Sequence, residues 1–425
     1  MVKYQQYEEY KDSGVEVLGS IPTQWNTSKL AYTFLKANAG EVIDKTYWGN
    51  GKEVLYTCNK TPLLSDYTGF PEEKRTKKND LLLTRNGTPY VHKPIEGSIY
   101  SNVVQRITLS SKFDRNYLTY CLGNSALSLK GYGVSIESFN FETWKLMQFA
   151  YPSMKEQKQV VNFLDYETAQ IDTLIEKQQT LIQLLKEKRQ AVISHAVTKG
   201  LNPDAPMKDS SVEWLGSVPE HWEVSKLKFE SEIIDCRNKT PEYFENGEYF
   251  VVRTTNVRHQ KLNFNGALYT DKKNFDIWTQ RGVPPAGSIF FTREAPTGEV
   301  CLVPENLKFC MGQRMMNFIA HDESYTNYLF DYLISDCLDR YINSVSHGST
   351  VSHLRVEQVQ NIPVLVPPLD EIAQIHNHIE KLKLSFDDIE LNAKKAIQLM
   401  QERRTALISA AVTGKIDVRG WLASE

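Results

Sequence analysis

The sequence predicts an α+β protein: two mixed domains of one kind, held apart by two long antiparallel coiled-coil helices, the halves related as a pseudo-twofold internal repeat. Three observations predict it. KDSGVEVLGSIPTQWNTSKL (11–30) recurs as KDSSVEWLGSVPEHWEVSKL (208–227), with about 13 of 20 positions identical at a constant offset of 197. EKRQAVISHAVT (187–198) recurs as ERRTALISAAVT (402–413), about 8 of 12 identical at an offset of 215. Each half also closes on a long heptad-patterned stretch. Internal repetition sets architecture before other signals do, and two similar units can be related by a twofold axis.

The spacing divides the chain into a first mixed domain (1–150), a first long helix (151–200), a linker (201–213), a second mixed domain (214–365), and a second long helix with its tail (366–425). The middles hold short apolar runs, Leu81–Leu83, Val103–Val104, Ile289–Phe291 and Phe318–Ile319, bounded by Asn, Gly and Pro. Such runs read as strands. Shorter helices are expected around 115–130 and 324–343. In the first long helix Ile171, Leu174, Gln178, Leu181, Leu185, Lys188 and Val192 form the expected seam. In the second the seam is Phe386, Ile389, Ala393, Ala396, Met400, Arg403 and Leu407. Spacing of three and four suits one helix lying along another. The plainer alternative is an amphipathic helix packed on its own domain. Both helices follow proline, which suits a helix start but not its interior. A helix of about 40–45 residues is roughly 60–65 Å long. The segment GLNPDAPMKDS (200–210), with two prolines and a glycine, reads as the connector between the copies.

Composition narrows the class. The 425 residues carry 49 Lys and Arg against 52 Asp and Glu, a net charge of -3, which excludes a generally basic nucleic-acid coat but not local basic loops. MVKYQQYEEY is polar and acidic, unlike a signal peptide. No apolar run approaches the roughly 20 residues of a membrane span. The six cysteines (Cys58, Cys121, Cys236, Cys301, Cys310, Cys337) include no CxxC pair, as expected of reduced thiols in a cytoplasmic protein.

The GS[IV]PxxW…SKL segments, the proline step before each long helix, the paired helix ends and HGSTVSHLRVEQVQNIPVLVPPLDE (347–371) resemble the specificity subunit of type I restriction–modification systems. The resemblance covers almost the whole chain. It implies that each middle is a target recognition domain, that the helices are a spacer, and that the repeated segments dock modification subunits. One departure stands at Glu371-Ile372, where members of that family often carry Glu-Gln, as the first copy does at Glu156-Gln157.

Motifs for catalysis are missing from the sequence. Asn202-Pro203-Asp204 lacks the rest of an NPP[FY] methyltransferase motif, and no GxxxxGK[ST] phosphate loop is present. His376 and His378 lie two apart on a helix and face different sides, so they read as ordinary helix residues. The chain is therefore expected to be non-catalytic and to need no cofactor. The resemblance assigns S-adenosylmethionine, ATP and Mg to partners: two modification subunits that methylate adenine, and restriction subunits that cleave. Its DNA would be double-stranded, with a two-part target of unlike halves and no membrane involved.

Candidate DNA contacts lie at strand ends. LLLTRNGT (81–88) and IFFTREAP (289–296) place Thr84, Arg85, Asn86 and Arg293 where a strand can project a side chain outward. VVRTTNVRHQK (251–261) offers Arg253, Thr254, Asn256 and Arg258, and MGQRMM (311–316) offers Gln313 and Arg314. Arginine suits guanine; Asn and Gln suit adenine. CNKTP (58–62) and CRNKTP (236–241) suggest one loop shared by both domains, with Lys60 and Lys239 on phosphate. The run EKRTKKND (73–80) adds further cations. The plain alternatives are solvated surface charge and, for Arg85 and Arg293, a structural salt bridge. At whole-chain level the alternative is a coiled-coil scaffold whose end domains bind proteins and no DNA.

Overall fold

The computed structural model describes residues 4–85, 88–130, 140–237, 239–345 and 353–422, with the side chains of 127–130 set aside. The chain divides into two compact units, residues 1–178 with 394–425, and residues 179–393. Each unit thus contains one mixed domain, the first half of one long helix and the last half of the other.

In the first unit a four-stranded antiparallel sheet runs in the order Phe34–Ala39, Val104–Leu109, Asp80–Thr84, Val91–His92. Leu81, Leu82 and Leu83 are fully buried in its interior. That is why the run is apolar at every position rather than alternating. A three-stranded sheet adds Leu63–Ser65, Trp48–Tyr56 and Ile99–Tyr100, the last two parallel. The second unit repeats both sheets. Ser231–Asp235, Met315–Ala320, Ile289–Arg293 and Thr297–Leu302 form the antiparallel one. Tyr269–Thr270, Tyr249–Val252 and Phe309–Met311 form the other, again with one parallel pair. The expected helix at 324–343 is two helices, Tyr325–Leu333 and Asp336–Val345. Ser335 breaks them, its hydroxyl donating to Tyr332 O and accepting from Cys337 N.

The long helices are Met154–Lys199 and Leu369–Val412. The repeated segments explain themselves against their first turns. Trp25 is fully buried and its indole N–H donates to Glu156 at 3.0 Å. Trp222, the repeat of Trp25, is equally buried and donates to Glu371 at 2.9 Å. Tyr7 hydroxyl donates to Glu156 as well, at 2.7 Å, and burial with this contact holds the phenol pKa well above its ordinary value. The strand pairs Asn26–Lys29 with Gln148–Tyr151, and Glu223–Lys226 with Pro363–Val366, dock each segment in the same register. Each segment also meets the end of the other copy's helix. Gly414, in the left-handed region, lies so close to Pro22 that a Cβ there would overlap the ring. Gly200, at the end of the first long helix and also in the left-handed region, packs against the Trp222 ring, which would stand 3.2 Å from a Cβ.

In both units the two helix segments run side by side and antiparallel. In the first, Ile171 shares a core with Leu407, Ala411 and Val412, and Arg404 Nε donates to Asp172 at 2.9 Å. In the second, Ile193, Ala196 and Val197 share a core with Ile372, Ile375 and Ile379, and Arg189 donates to Asp387 at 2.7 Å. Asp172 and Asp387, like Arg189 and Arg404, stand 215 positions apart, so one ion pair is written twice. The seam differs in detail from the sequence expectation. Ile171, Gln178, Leu185 and Val192 turn inward, but Leu174, Leu181 and Lys188 are exposed, and Ile175, Ile182 and Arg189 take their places. In the second helix Phe386, Ala393, Ala396, Met400 and Leu407 turn inward with Glu390, Ile397 and Arg404, while Ile389 and Arg403 are exposed. Alternating steps of four-then-three and three-then-four have the same mean period, so spacing alone does not choose between them. Among the described residues no helix is long and apolar enough to cross a membrane.

Candidate nucleic-acid interface

In the second unit, backbone and side-chain hydrogen bonds at one end of the sheets draw four loops together. Gly312 N–H donates to Val252 O at 2.8 Å, and Arg293 N–H to Arg314 O at 3.0 Å. Arg314 N–H donates to Cys236 Sγ at 3.0 Å, and Arg258 Nη2 to Ala295 O at 3.4 Å. Burial pushes the Cys236 thiol pKa up, so this acceptor is a neutral thiol. The structure therefore gathers Arg253, Thr254, Asn256, Arg258, Arg293, Gln313 and Arg314 at one loop cluster.

Their side chains have different surroundings. Gln313 and Arg314 are exposed. Arg253 Nη2 donates to Gly266 O at 2.8 Å, and Arg258 Nη1 to Thr254 O at 2.8 Å and Val257 O at 3.0 Å, so these guanidinium groups brace loops. The outward orientation expected of two residues is corrected. Asn256 is 1% exposed; its Oδ1 accepts from Arg253 N and its Nδ2 donates to Asn263 O. Arg293 is 5% exposed, with Nη2 3.7 Å from Asp235 and 4.0 Å from Cys236 Sγ. A charge taken from water needs an ionic partner nearby, and Asp235, at the end of the edge strand Ser231–Asp235, supplies one.

In the first unit Thr84 is also turned inward and fully buried. Its hydroxyl donates to Thr88 O at 3.1 Å and accepts from Tyr90 N at 2.9 Å, which closes the loop after the strand. Arg85 is half-buried with Nη1 on Asn102 O at 3.2 Å. Asn86 lies outside the described residues. Lys60 is exposed at the rim of a cavity of about 650 Å³ that Tyr90, Tyr120 and Arg404 also line. Within 73–80, Lys74 pairs with Glu41 and Arg75 with Glu53 and Glu72, which leaves Lys77 and Lys78 facing solvent. Arg106, which carries no motif, fixes this turn. It is buried, and its Nη1 donates to Lys74 O at 2.6 Å and Arg75 O at 2.8 Å.

The likeness of CNKTP and CRNKTP does not mark one shared loop. CNKTP follows Trp48–Tyr56, a strand of the three-stranded sheet, whereas CRNKTP follows Ser231–Asp235, the edge of the four-stranded sheet. By topology the loop matching CNKTP is the one beginning at Arg253. Lys239 instead lines an open cleft of about 790 Å³ with Arg237, Lys273, Trp278 and Arg281. Arg237 lies over the Trp278 ring at 5.7 Å from its centroid, and Trp278 Nε1 donates to Lys239 O at 3.1 Å. Sequence reading missed Trp278 and Arg281; an aromatic beside a basic loop was the available signal.

One group among the described residues has metal-ligand types within reach: Asp331, His376 and Glu380, with ligand atoms all within 4.8 Å of one another. Lys383 already supplies the cation, at 2.7 Å from Asp331 and 2.9 Å from Glu380.

The sequence model described as "Type I restriction modification DNA specificity domain" matches residues 22–184 and 219–401. The chain is similar to the MjaVIII type I restriction enzyme specificity subunit of Methanocaldococcus jannaschii, 24% identical over 423 residues, covering 94% of each chain. It is also similar to the MjaX specificity subunit of the same organism, a type I restriction enzyme subunit by name. That identity is 25% over 289 residues and spans 67% of this chain and 63% of the MjaX subunit. A solved structure from work on complex assembly and conformational transition of the type I R-M system matches with a TM-score of 0.59 at 14% identity. It covers 92% of this chain and 98% of that one, and establishes likeness of fold.

Proposed function

The chain belongs to the type I restriction modification DNA specificity family, and from that premise we propose that it reads a two-part double-stranded DNA target, one part with each mixed domain. The observation that carries this reading is the repetition of one two-sheet domain whose equivalent strand ends lead into different loops. Arg85 and Arg293 follow equivalent strands, yet one faces its loop surface and the other is buried. Two copies with one frame and different loops suit two half-sites of different sequence.

In this reading the chain supplies recognition and its partners supply chemistry. Modification subunits carrying S-adenosylmethionine methylate adenine in each half, and restriction subunits using ATP and Mg cleave unmodified DNA. The exposed Lys60, Lys77, Lys78 and Lys239, with the half-buried Arg237, take phosphate, so binding weakens steeply with salt. The test is co-expression with a type I modification subunit in a host that lacks adenine methylation, followed by mapping of methylated adenines. A single interrupted motif that vanishes when this chain is omitted is the expected result. Methylation that persists unchanged without the chain, or none in its presence, overturns the proposal.

A further inference from the structure

We propose that the Gln313-Arg314 turn is the base-reading element of the second domain, with Arg314 on a guanine and Gln313 on a neighbouring adenine, and that Glu294 and Cys236 are its positioning residues. This rests on the DNA-reading role proposed above.

The turn has rigid flanks and exposed tips. Met311, Gly312 and Met315 are buried on either side, while the Gln313 and Arg314 side chains stand in solvent. Arg314 has a φ of 67°, in the left-handed region. A residue with a Cβ occupies that region at a cost of roughly 1–2 kcal/mol. Both of its backbone polar groups are anchored, the N–H on Cys236 Sγ and the carbonyl on Arg293 N–H, each at 3.0 Å. Strain held in place by its surroundings concentrates at functional sites. The same loop cluster holds further left-handed residues, Ala295 with a φ of 52° and His259 with a φ of 50°.

The side-chain chemistry agrees. Glu294 fixes one Arg314 nitrogen at 2.5 Å, and the carboxylate's other oxygen lies 3.3 Å from His353 Nδ1. A guanidinium has five N–H groups in a planar fork, so an anchored Arg314 still has donors to offer guanine O6 and N7. Gln313 has the donor and acceptor that adenine N6 and N7 require. Elsewhere in the cluster, Arg253 and Arg258 brace main-chain carbonyls and Arg293 is buried. The Gln313-Arg314 turn is therefore where an arginine fork and an amide stand together at the surface.

The experiment uses the full chain and a pool of random-sequence duplexes, selected for binding and sequenced at fixed salt. The wild-type protein is expected to enrich an interrupted motif. Arg314→Ala should lose preference at one G·C pair by about 10–100-fold while the rest of the motif persists. Arg314→Lys keeps the charge and should lose the same preference with non-specific affinity intact. Gln313→Ala should relax an adjacent A·T pair. Glu294→Gln should weaken the Arg314 position alone, which a merely structural role would not do. If Arg314→Lys and Arg314→Ala both enrich the unaltered motif, the turn does not read bases and the inference falls, with the DNA-reading role intact. If the wild-type chain enriches no motif, the underlying role falls and takes the inference with it.

Discussion

Two arginines at equivalent strand ends show what a side chain's surroundings do to a motif. Thr84 pairs across the sheet with Val104, and Thr292 with Met315. Arg85 N–H donates to Val103 O, and Arg293 N–H to Arg314 O. The backbones match, so the Thr-Arg signal was legible in sequence. The directions of the guanidinium groups were not. Arg293 turns inward because Asp235, from a strand more than fifty residues earlier, lies beside it, and no local pattern encodes that neighbour. The consequence is a stability difference. Arg293→Ala should lower unfolding free energy by about 2–3 kcal/mol, the range for breaking a buried polar network. Arg85→Ala, at a half-exposed position, should stay within about 0.5 kcal/mol. Urea unfolding of the full chain and both variants measures this. Equal, small effects would mean that the buried pair contributes nothing.

At the scale of elements, the helix pairing rests on apolar burial more than on its repeated ion pairs. Asp172 and Arg404 have 53% and 37% of their side chains exposed. Such pairs contribute about 0.2–1 kcal/mol, whereas burying Ile171 at 4% exposure makes its truncation to Ala cost about 2–5 kcal/mol. Ile171→Ala should therefore destabilise the first unit several-fold more than Arg404→Ala in a denaturant titration. Sequence located the helices and most of each seam; the rest depended on which of two equal spacings packs, which only the partner surface decides. A second element-level device joins Tyr325–Leu333 to the second long helix. His376 Nδ1 lies 2.8 Å from the fully buried Asp331. That hydrogen bond raises the imidazole pKa, against burial and against the Lys383 charge, with Glu380 adding to the rise. A raised folded pKa makes the stabilisation complete below the unfolded value of about 6.5 and lost as pH climbs through the folded one. The stability difference between wild type and His376→Ala should be larger at pH 5.5 than at pH 8.5. A difference that does not change with pH removes the ionic contribution.

The whole molecule is organised so that no half of the sequence makes a complete unit. Residues 394–425 belong to the first unit with 1–178. Leu407, Ala411, Val412 and Val418 sit in the core that contains Leu81, Trp144 and Phe163. Tyr10 hydroxyl donates to Gly414 O at 3.1 Å, and Asp417 N–H to Gln5 O at 2.8 Å. The paired repeats made this arrangement partly legible, since both helix ends carry one sequence. They did not show that each helix end serves the other copy's opening segment, because a repeat reports likeness and not adjacency. Removal of residues 394–425 should thus damage the opposite end of the chain. Stripping four buried aliphatic residues from a core removes several times the 2–5 kcal/mol typical of one large-to-small change, more than the margin that keeps most domains folded. Amide hydrogen exchange on the truncated chain should show protection lost at 10–30 and 80–84, while strands 289–293 and 315–320 stay protected. If 10–30 and 80–84 remain as protected as in the full chain, the first unit does not depend on the distant helix end, and the two-part construction of each unit is wrong.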